Sequence, residues 1–233
     1  LLVGLVLSYL NPQDDSESVL NTLSSNPALS EKPFTTKAPI DPDILAGRTF
    51  SPHVPIEIAK NTDFNETNGV TAGDGSAGDP FIIEGWNITS PNVSCISIHD
   101  TTAYFIIQNC LLNSSAYHSA NGIYIGYVSS GTANITNNIC TNTDVAITIS
   151  NSPDADVTSN YCQDNTYALV VEYSNTVNIS HNHFTDHTWG VEISDTNSLI
   201  FYNNTVNVSF YNGVEIYACN SPLLENNTIS RSG

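Results

Sequence analysis

The chain has 233 residues, 40% of them apolar, so it can bury a core and is too apolar for a disordered protein. Five Lys and Arg stand against 23 Asp and Glu, which gives a formal net charge of −18. Residues 61–230 contain no Lys or Arg, so this stretch cannot neutralise phosphates. We therefore exclude nucleic acid as a partner, and anionic lipids and polyuronides are poor partners for the same reason.

The chain begins with the apolar segment LLVGLVLSYL, residues 1–10, which is too short to span a bilayer. It is the end of a secretory signal region, the end of a trimmed membrane anchor, or an apolar strand that needs a partner. The sequence lacks Met, so we expect a processed or trimmed product. The first two alternatives both predict export, and we expect an extracellular or cell-surface protein without a spanning segment in this chain.

Two further regions precede the repeats. Residues 11–50 are rich in Pro, Ser, Asp and Glu, which predicts an extended arm or linker. Residues 51–94 contain the first plausible strand, VPIEI, and a glycine-rich loop, GDGSAGDP, that leads into FIIEGWNI. We interpret residues 51–94 as an N-terminal capping region with the first coil.

Residues 95–233 form an internal repeat of six copies. Each copy has alternating apolar residues and an Asn near its end. This Asn recurs at Asn109, Asn138, Asn160, Asn182, Asn204 and Asn227. A period near 22 with three short strands per turn is typical of a parallel β-helix, in which equivalent positions stack about 4.8 Å apart. We predict an all-β solenoid of about seven coils with an extended N-terminal arm.

The recurring Asn is interpreted as scaffold. An Asn between two strands can hold the left-handed backbone of a sharp corner, and its amide can bond to the Asn above and below. The column therefore predicts an asparagine ladder that stabilises the fold and takes no part in chemistry.

The repeat resembles the right-handed parallel β-helix repeat family, the pectate-lyase-like and NosD-like secreted solenoids, and in particular archaeal or bacterial surface members. GDGSAGDPFIIEGWNI is similar to the segment that many secreted members carry before the first coil. The resemblance covers Val54 to Gly233 and implies a single-stranded, right-handed parallel β-helix. This fold hosts lyases, hydrolases, epimerases, adhesins and inert spacers, so the resemblance is specific for fold and not for function.

A complete catalytic set is missing. Lyases of this fold pair calcium-binding carboxylates with an Arg or Lys, which residues 61–230 lack, and this stretch has only one polygalacturonase-like motif, Asn142-Thr143-Asp144. The sequence therefore favours a protein that is not an enzyme. The alternative catalytic pair is Glu192 and Glu215, which share an outward position in consecutive coils with Glu172 close in register. Such a pair could bind Ca²⁺ or act as acid and base.

The segment HNHFTDH offers a candidate metal site. His181 and His183 should share one face of a strand, and with His187 they could ligate Cu²⁺ or Zn²⁺. The resemblance to NosD-like proteins, which are associated with copper delivery, favours copper. Neighbouring coils add no His at these positions, so we predict no cofactor, with Ca and Cu as alternatives.

Export also predicts N-glycosylation. Nine Asn-x-Ser/Thr sequons are candidates: Asn65, Asn87, Asn92, Asn113, Asn134, Asn178, Asn203, Asn207 and Asn226. The five cysteines are an odd number, so at least one thiol is unpaired within a monomer.

The last copy reaches Asn227 and Ile229 without a capping segment, which favours end-to-end association. We expect a homo-oligomer or filament in which the arm of one subunit adds to the solenoid of the next. The leading hypothesis is an exported structural β-solenoid glycoprotein that builds a cell-surface or extracellular filament or layer. The alternatives are a carbohydrate-active enzyme or glycan-binding module, with glycans as partners, and a copper-handling NosD-like solenoid.

Overall fold

The computed structural model describes residues 5–7, 42–114, 120–208 and 210–231. Besides strands, these residues form a short helix, α1 (Pro42–Leu45), and two 3-10 turns (Asn61–Asp63 and Glu66–Asn68). In chain order, the strands are β1 (Leu5–Leu7), β2 (Ser51–His53), β3 (Ile56–Ile58), β4 (Val70–Ala72), β5 (Phe81–Glu84), β6 (Trp86–Ser90), β7 (Ile96–His99), β8 (Phe105–Gln108), β9 (Leu111–Ser114), β10 (Ile123–Gly126), β11 (Ala133–Thr136), β12 (Ile139–Thr141), β13 (Val145–Ser150), β14 (Asp156–Thr158), β15 (Tyr161–Gln163), β16 (Tyr167–Glu172), β17 (Asn178–Ser180), β18 (His183–His187), β19 (Trp189–Ser194), β20 (Ile200–Tyr202), β21 (Thr205–Val208), β22 (Val214–Tyr217), β23 (Leu223–Glu225) and β24 (Thr228–Arg231).

Three eight-stranded sheets run along the solenoid. Sheet 1 has the order β1-β22-β19-β16-β13-β10-β7-β3, sheet 2 the order β23-β20-β17-β14-β11-β8-β5-β4, and sheet 3 the order β2-β6-β9-β12-β15-β18-β21-β24. Neighbouring strands are parallel except for the antiparallel pair β4–β5. Six regular turns, from β7 to β24, follow a first coil built from β3, β5 and β6. The predicted parallel β-helix of about seven coils is confirmed.

The core consists of apolar columns that cross the coils. One column of sheet 1 contains Ile56, Ile96, Ile123, Ile147, Leu169, Val191 and Val214, all buried. In sheet 3, Cys140 stacks on Cys162, which stacks on Phe184. This regular stacking of small and branched side chains buries apolar surface in every turn, which is the main source of stability in a solenoid.

All five cysteines are buried and free. Burial raises the pKa of the Cys95 and Cys110 thiols to about 12. A hydrogen bond with Cys162 and burial together raise the pKa of Cys140 well above its ordinary value. These thiols therefore stay protonated and pack as small apolar side chains.

A buried asparagine ladder connects successive coils. In each rung from Asn160 onward, the Oδ1 atom accepts two hydrogen bonds from the Asn one coil earlier, as Asn160 does from the backbone N–H (3.0 Å) and Nδ2 (3.1 Å) of Asn138. Asn182 does the same for Asn160, Asn204 for Asn182, and Asn227 for Asn204. The Nδ2 of each rung also donates to a backbone carbonyl, as that of Asn160 does to Ile135 (2.9 Å). The ladder satisfies polar backbone groups that the corner would otherwise bury unpaired.

The prediction that Asn109 belongs to this ladder is wrong. Ile107 pairs with Ile135, so Cys110 is the residue in register with Asn138, and the Cys110 N–H donates to Asn138 Oδ1 at 3.1 Å. Asn109 lies one residue earlier. The left-handed backbone is also found one residue before the rungs, at Asn109, Asn137, Ser159, His181, Asn203 and Asn226. The corner therefore uses two adjacent residues, one for the turn and one for the hydrogen bonds.

The N-terminal regions are described in part. The predicted extended arm of residues 11–50 includes α1 near its end, and its residues 11–41 lie outside the described residues. Within the apolar segment of residues 1–10, residues 5–7 form β1, which pairs in parallel with β22. No helix in the described ranges is long and apolar enough to cross a membrane.

An ion-pair cluster joins the first coil to the second. The imidazole of His99, at the end of β7, donates from Nδ1 to Asp100 and from Nε2 to Glu57 of β3, both at 2.8 Å. The hydrogen bond to Asp100 is the largest cause that raises the pKa of His99, and Glu57 adds to it, while burial opposes the shift. His99 therefore links two coils, and its two carboxylate partners favour the protonated form of the imidazole.

We expect this link to weaken as the pH rises. Because the folded-state pKa of His99 is raised, its contribution is fully present below the unfolded-state pKa of about 6.5 and is lost above the folded-state pKa. Since 27% of His99 and 63% of each carboxylate partner are exposed, the effect should be small. The difference in melting temperature between the wild type and His99→Gln should shrink with rising pH. An unchanged difference up to pH of about 9 would contradict the ion pair as its cause.

Candidate functional site

The outer face of sheet 1 carries two adjacent carboxylates near its β22 end. Glu192 of β19 and Glu215 of β22 are direct register partners on neighbouring parallel strands. The Tyr217 hydroxyl donates to Glu192 Oε1 at 3.1 Å, and Asn212 Nδ2 donates to Glu215 Oε2 at 3.1 Å. Both carboxylates are half-buried. The structure thus brings together the two residues that the sequence singled out, each bound by a neutral donor.

Glu172 does not belong to this pair. It is the register partner of Ser194, two residues away from the position of Glu192, and its carboxylate accepts a hydrogen bond from the Ser150 hydroxyl at 2.9 Å. The residue that extends the carboxylate column is the uncharged Val170. Glu172 is therefore a diagonal neighbour of Glu192, close in register but offset by two residues on the same face.

A stack of aromatic rings borders the two carboxylates. The ring centroids of Tyr167 and Trp189 are 6.0 Å apart with planes 10° from parallel, and those of Trp189 and Tyr211 are 4.0 Å apart at 14°. Sequence reasoning missed this column, although Tyr167, Trp189 and Tyr211 follow one another at the 22-residue period of the repeat. Stacked rings of this kind form a flat apolar wall.

Glu192 and Glu215 line one shallow depression together with Asn212 and two rings of the stack, Tyr167 and Trp189. Its free volume is about 10 Å³, about the space of one water molecule. Burial raises the pKa of Tyr167, and the charges of Glu192, Asp144 and Glu215 raise it further. The site therefore has a negative potential beside an apolar wall. It can accept hydrogen bonds from hydroxyl groups of a ligand that lies across the surface.

The fold separates the three histidines of the predicted metal site. His187 is fully buried, whereas His181 and His183 are exposed. The Nδ1 atom of His187 accepts a hydrogen bond from the Asn165 N–H (3.3 Å), and its Nε2 donates to the Cys162 carbonyl (3.0 Å). Both ring nitrogens are thus used inside the solenoid, and the expectation that His187 joins the other two as a ligand is wrong.

The two remaining histidines contact aromatic rings. His183 stacks on Tyr161 with centroids 5.2 Å apart, and His181 meets Tyr202 edge-on at 5.7 Å. Burial lowers the pKa of His183, with Asp186 opposing the shift. Among the described residues, no three His, Cys, Asp or Glu side chains are grouped so that they could hold a metal ion. The described donors therefore do not fit a three-ligand copper or zinc site.

The sequons differ in exposure. Asn65, Asn87, Asn92, Asn203 and Asn226 are exposed. Asn113, Asn134, Asn178 and Asn207 are half-buried, and the Oδ1 atoms of Asn134 and Asn207 are fully buried. Because a glycan must attach to an accessible side-chain nitrogen, the first five are the better candidates, and their glycosylation stays a prediction.

Comparison with known proteins points to one family. Residues 106–233, which are 128 of the 233 residues, match the family described as "Periplasmic copper-binding protein (NosD)". A solved structure titled "The complex structure of XylC with xylose" aligns over 58% of this chain with 17% identity and a TM-score of 0.46. The alignment covers 21% of that protein, so the chain spans about a fifth of its length. No curated protein sequence matches the chain.

Proposed function

The chain belongs to the NosD family of parallel β-helix proteins, and we propose that it serves as an exported structural β-solenoid that builds a cell-surface or extracellular assembly. The periplasmic description of the family supports export. The assembly, its geometry and its glycosylation are the parts of this proposal that experiments must test.

The observation that carries the proposal is the continuous asparagine ladder. It runs from Cys110 to Asn227 without interruption and binds each coil to the next by two or more hydrogen bonds per rung. A second set of hydrogen bonds also connects successive coils. The Thr143 N–H donates to Asn165, and the Asn165 N–H donates to His187, the one buried histidine among the described residues. The Asn and His side chains of these two sets thus bind one coil to the next. Rigid stacking of coils is the property that a structural repeat protein needs.

Self-association is tested by the size and shape of the native particle. We expect multi-angle light scattering to show oligomers whose mass increases with concentration, and negative-stain microscopy to show rods longer than one solenoid. Intact-mass measurement before and after deglycosylation of the same material tests the glycoprotein part. Monomers at all concentrations in both methods would refute the assembly.

Glycan binding is the second candidate function, and the aromatic stack beside Glu192 and Glu215 supports it. Aromatic faces pack against the apolar side of sugar rings, while carboxylates accept hydrogen bonds from hydroxyl groups. Residues 61–230 contain no Lys or Arg, so the bound glycan should be neutral.

A glycan array separates this candidate from the structural one. We expect the double variant Glu192→Gln/Glu215→Gln and the variant Trp189→Ala to lose at least about tenfold in affinity for any glycan bound by the wild type, which corresponds to about 1.4 kcal/mol. Glu172→Gln is the matched control, because it neutralises a carboxylate on the same face outside the depression. Equal binding by all variants would exclude the depression as the site, and sugar release by the wild type alone would indicate an enzyme.

Copper handling, the third hypothesis, has less support. Copper appears in the family description, but His187 is used by the scaffold and leaves only His181 and His183 of the predicted set. We therefore do not assign a copper site to the described residues.

A further inference from the structure

The last strand of sheet 1 is extended by a strand from the other end of the chain. β1 pairs in parallel with β22, with Leu5 opposite Val214, Val6 opposite Glu215 and Leu7 opposite Ile216. This is the register in which β22 itself pairs with β19. The edge of β22 thus accepts a parallel strand as though that strand were the next coil of the solenoid.

The position of β1 is distant from the point where the chain enters the solenoid. β2 and β3 lie at the opposite end of their sheets from β22 and β24. Six strand-to-strand steps separate β3 from β22 in sheet 1, which is about 29 Å at the usual spacing. The 34 residues from 8 to 41 can reach about 110 Å when fully extended, so chain length permits β1 to pair with its own subunit or with a neighbour.

We propose that β1 is donated in trans, so that residues 5–7 of one subunit pair with Val214–Ile216 of a second copy of this chain. This inference rests on the proposed self-assembly and identifies the contact that joins one subunit to the next. When a second copy stacks its first coil on the last coil of its neighbour, its β1 reaches the β22 edge over a much shorter path than the full length of its own solenoid. Exchange of an identical element between subunits reuses the β1–β22 pairing that is seen within one chain.

The chemistry of the pairing suits repeated head-to-tail addition. Main-chain hydrogen bonds of a parallel pair provide affinity for any extended segment, whereas the register selects its side chains. At this register, Leu5 is the partner of Val214 and Leu7 the partner of Ile216, and both positions of β22 belong to apolar columns of sheet 1. Val6 lies opposite Glu215, so the carboxylate column ends on an uncharged residue, and like-charge repulsion does not oppose the joint.

The proposed pairing of β1 with β22 of a second copy lies next to the candidate site. Glu215 lines the depression with Glu192, and its other neighbour in sheet 1 is the donated strand. In an assembly, the depression therefore lies directly beside the joint, and its border on that side is provided by the second copy.

Two single-cysteine variants distinguish donation in trans from pairing within one chain. Val6→Cys and Glu215→Cys, carrying tags of different mass, are mixed as full-length chains and treated with a short bismaleimide. The native thiols are buried, with the pKa values of Cys95 and Cys110 raised to about 12, so they should react slowly. We expect a cross-linked dimer that carries both tags.

Matched controls fix the interpretation. Glu172→Cys replaces Glu215→Cys in a parallel mixture, because β16 is an interior strand of sheet 1 and should give no such dimer. In the double variant Val6→Cys/Glu215→Cys, a product that stays monomeric at every concentration, together with no dimer in the mixture, would overturn donation in trans. If the wild type still forms rods in that case, donation of β1 in trans is wrong and the proposed self-assembly stands. If the wild type is monomeric, both proposals fail.

Discussion

Asn160→Ala is expected to lower the free energy of unfolding by about 3 to 5 kcal/mol, because it leaves several buried groups without partners at once. Its Oδ1 accepts from the N–H and Nδ2 of Asn138, and its Nδ2 donates to the carbonyls of Ile135 and Thr158 and to Asn182. Asn160 is 1% exposed, so water cannot replace these bonds. Urea denaturation followed by circular dichroism measures the change.

Asn197→Ala provides the matched control. Asn197 also accepts hydrogen bonds from the N–H and Nδ2 of an Asn one coil later, Asn220, but these groups are exposed to water. We expect a loss below about 1 kcal/mol. Equal losses for the two variants would mean that the buried ladder owes its stabilising effect to something other than the satisfaction of buried groups.

The fold was predictable because the repeat is nearly constant in length. Steps of 22 residues in the Asn column require coils of equal circumference, and three alternating apolar segments per step require three sheets. The error at Asn109 has a local cause. In FIIQ three apolar residues are consecutive, so alternation does not show which of Ile106 and Ile107 faces inward, and the single Asn in QNC matched either Asn of the pair Asn137-Asn138.

The candidate site was predictable in part. Equal spacing placed Glu192 opposite Glu215. The aromatic column at Tyr167, Trp189 and Tyr211 was not predicted, because its residues lie outside the apolar and Asn positions that define the repeat. The division of the histidines was not visible in the sequence. Strand periodicity places residues at even spacing on one face, whereas the register of β18 shifts between Thr185 and His187. A one-residue irregularity of this kind turns a residue from the outer face of the sheet to the inner one, and His187 is accordingly buried.

This irregularity allows His187 to replace an amide in a second ladder. One coil earlier, Asn165 Oδ1 accepts from the Thr143 N–H at 2.8 Å, and Asn165 Nδ2 donates to the Cys140 carbonyl at 3.1 Å. His187 repeats both contacts one coil later, with Nδ1 as the acceptor and Nε2 as the donor. A neutral imidazole has one acceptor and one donor at about the separation of an Asn side chain, so the two residues are equivalent at this corner.

His187→Ala is therefore expected to lower the free energy of unfolding by about 2 to 4 kcal/mol, because it removes both hydrogen bonds and leaves a cavity. His187→Asn should recover more than half of this loss, since Asn is the residue that occupies the same corner in the preceding coil. Denaturation midpoints of the three proteins, with copper binding measured by calorimetry on the folded chains, separate the two roles of the residue. A scaffold residue gives a large stability loss that Asn rescues and no change in copper affinity. Full stability of His187→Ala with loss of copper binding would instead show that the side chain leaves the corner to bind metal.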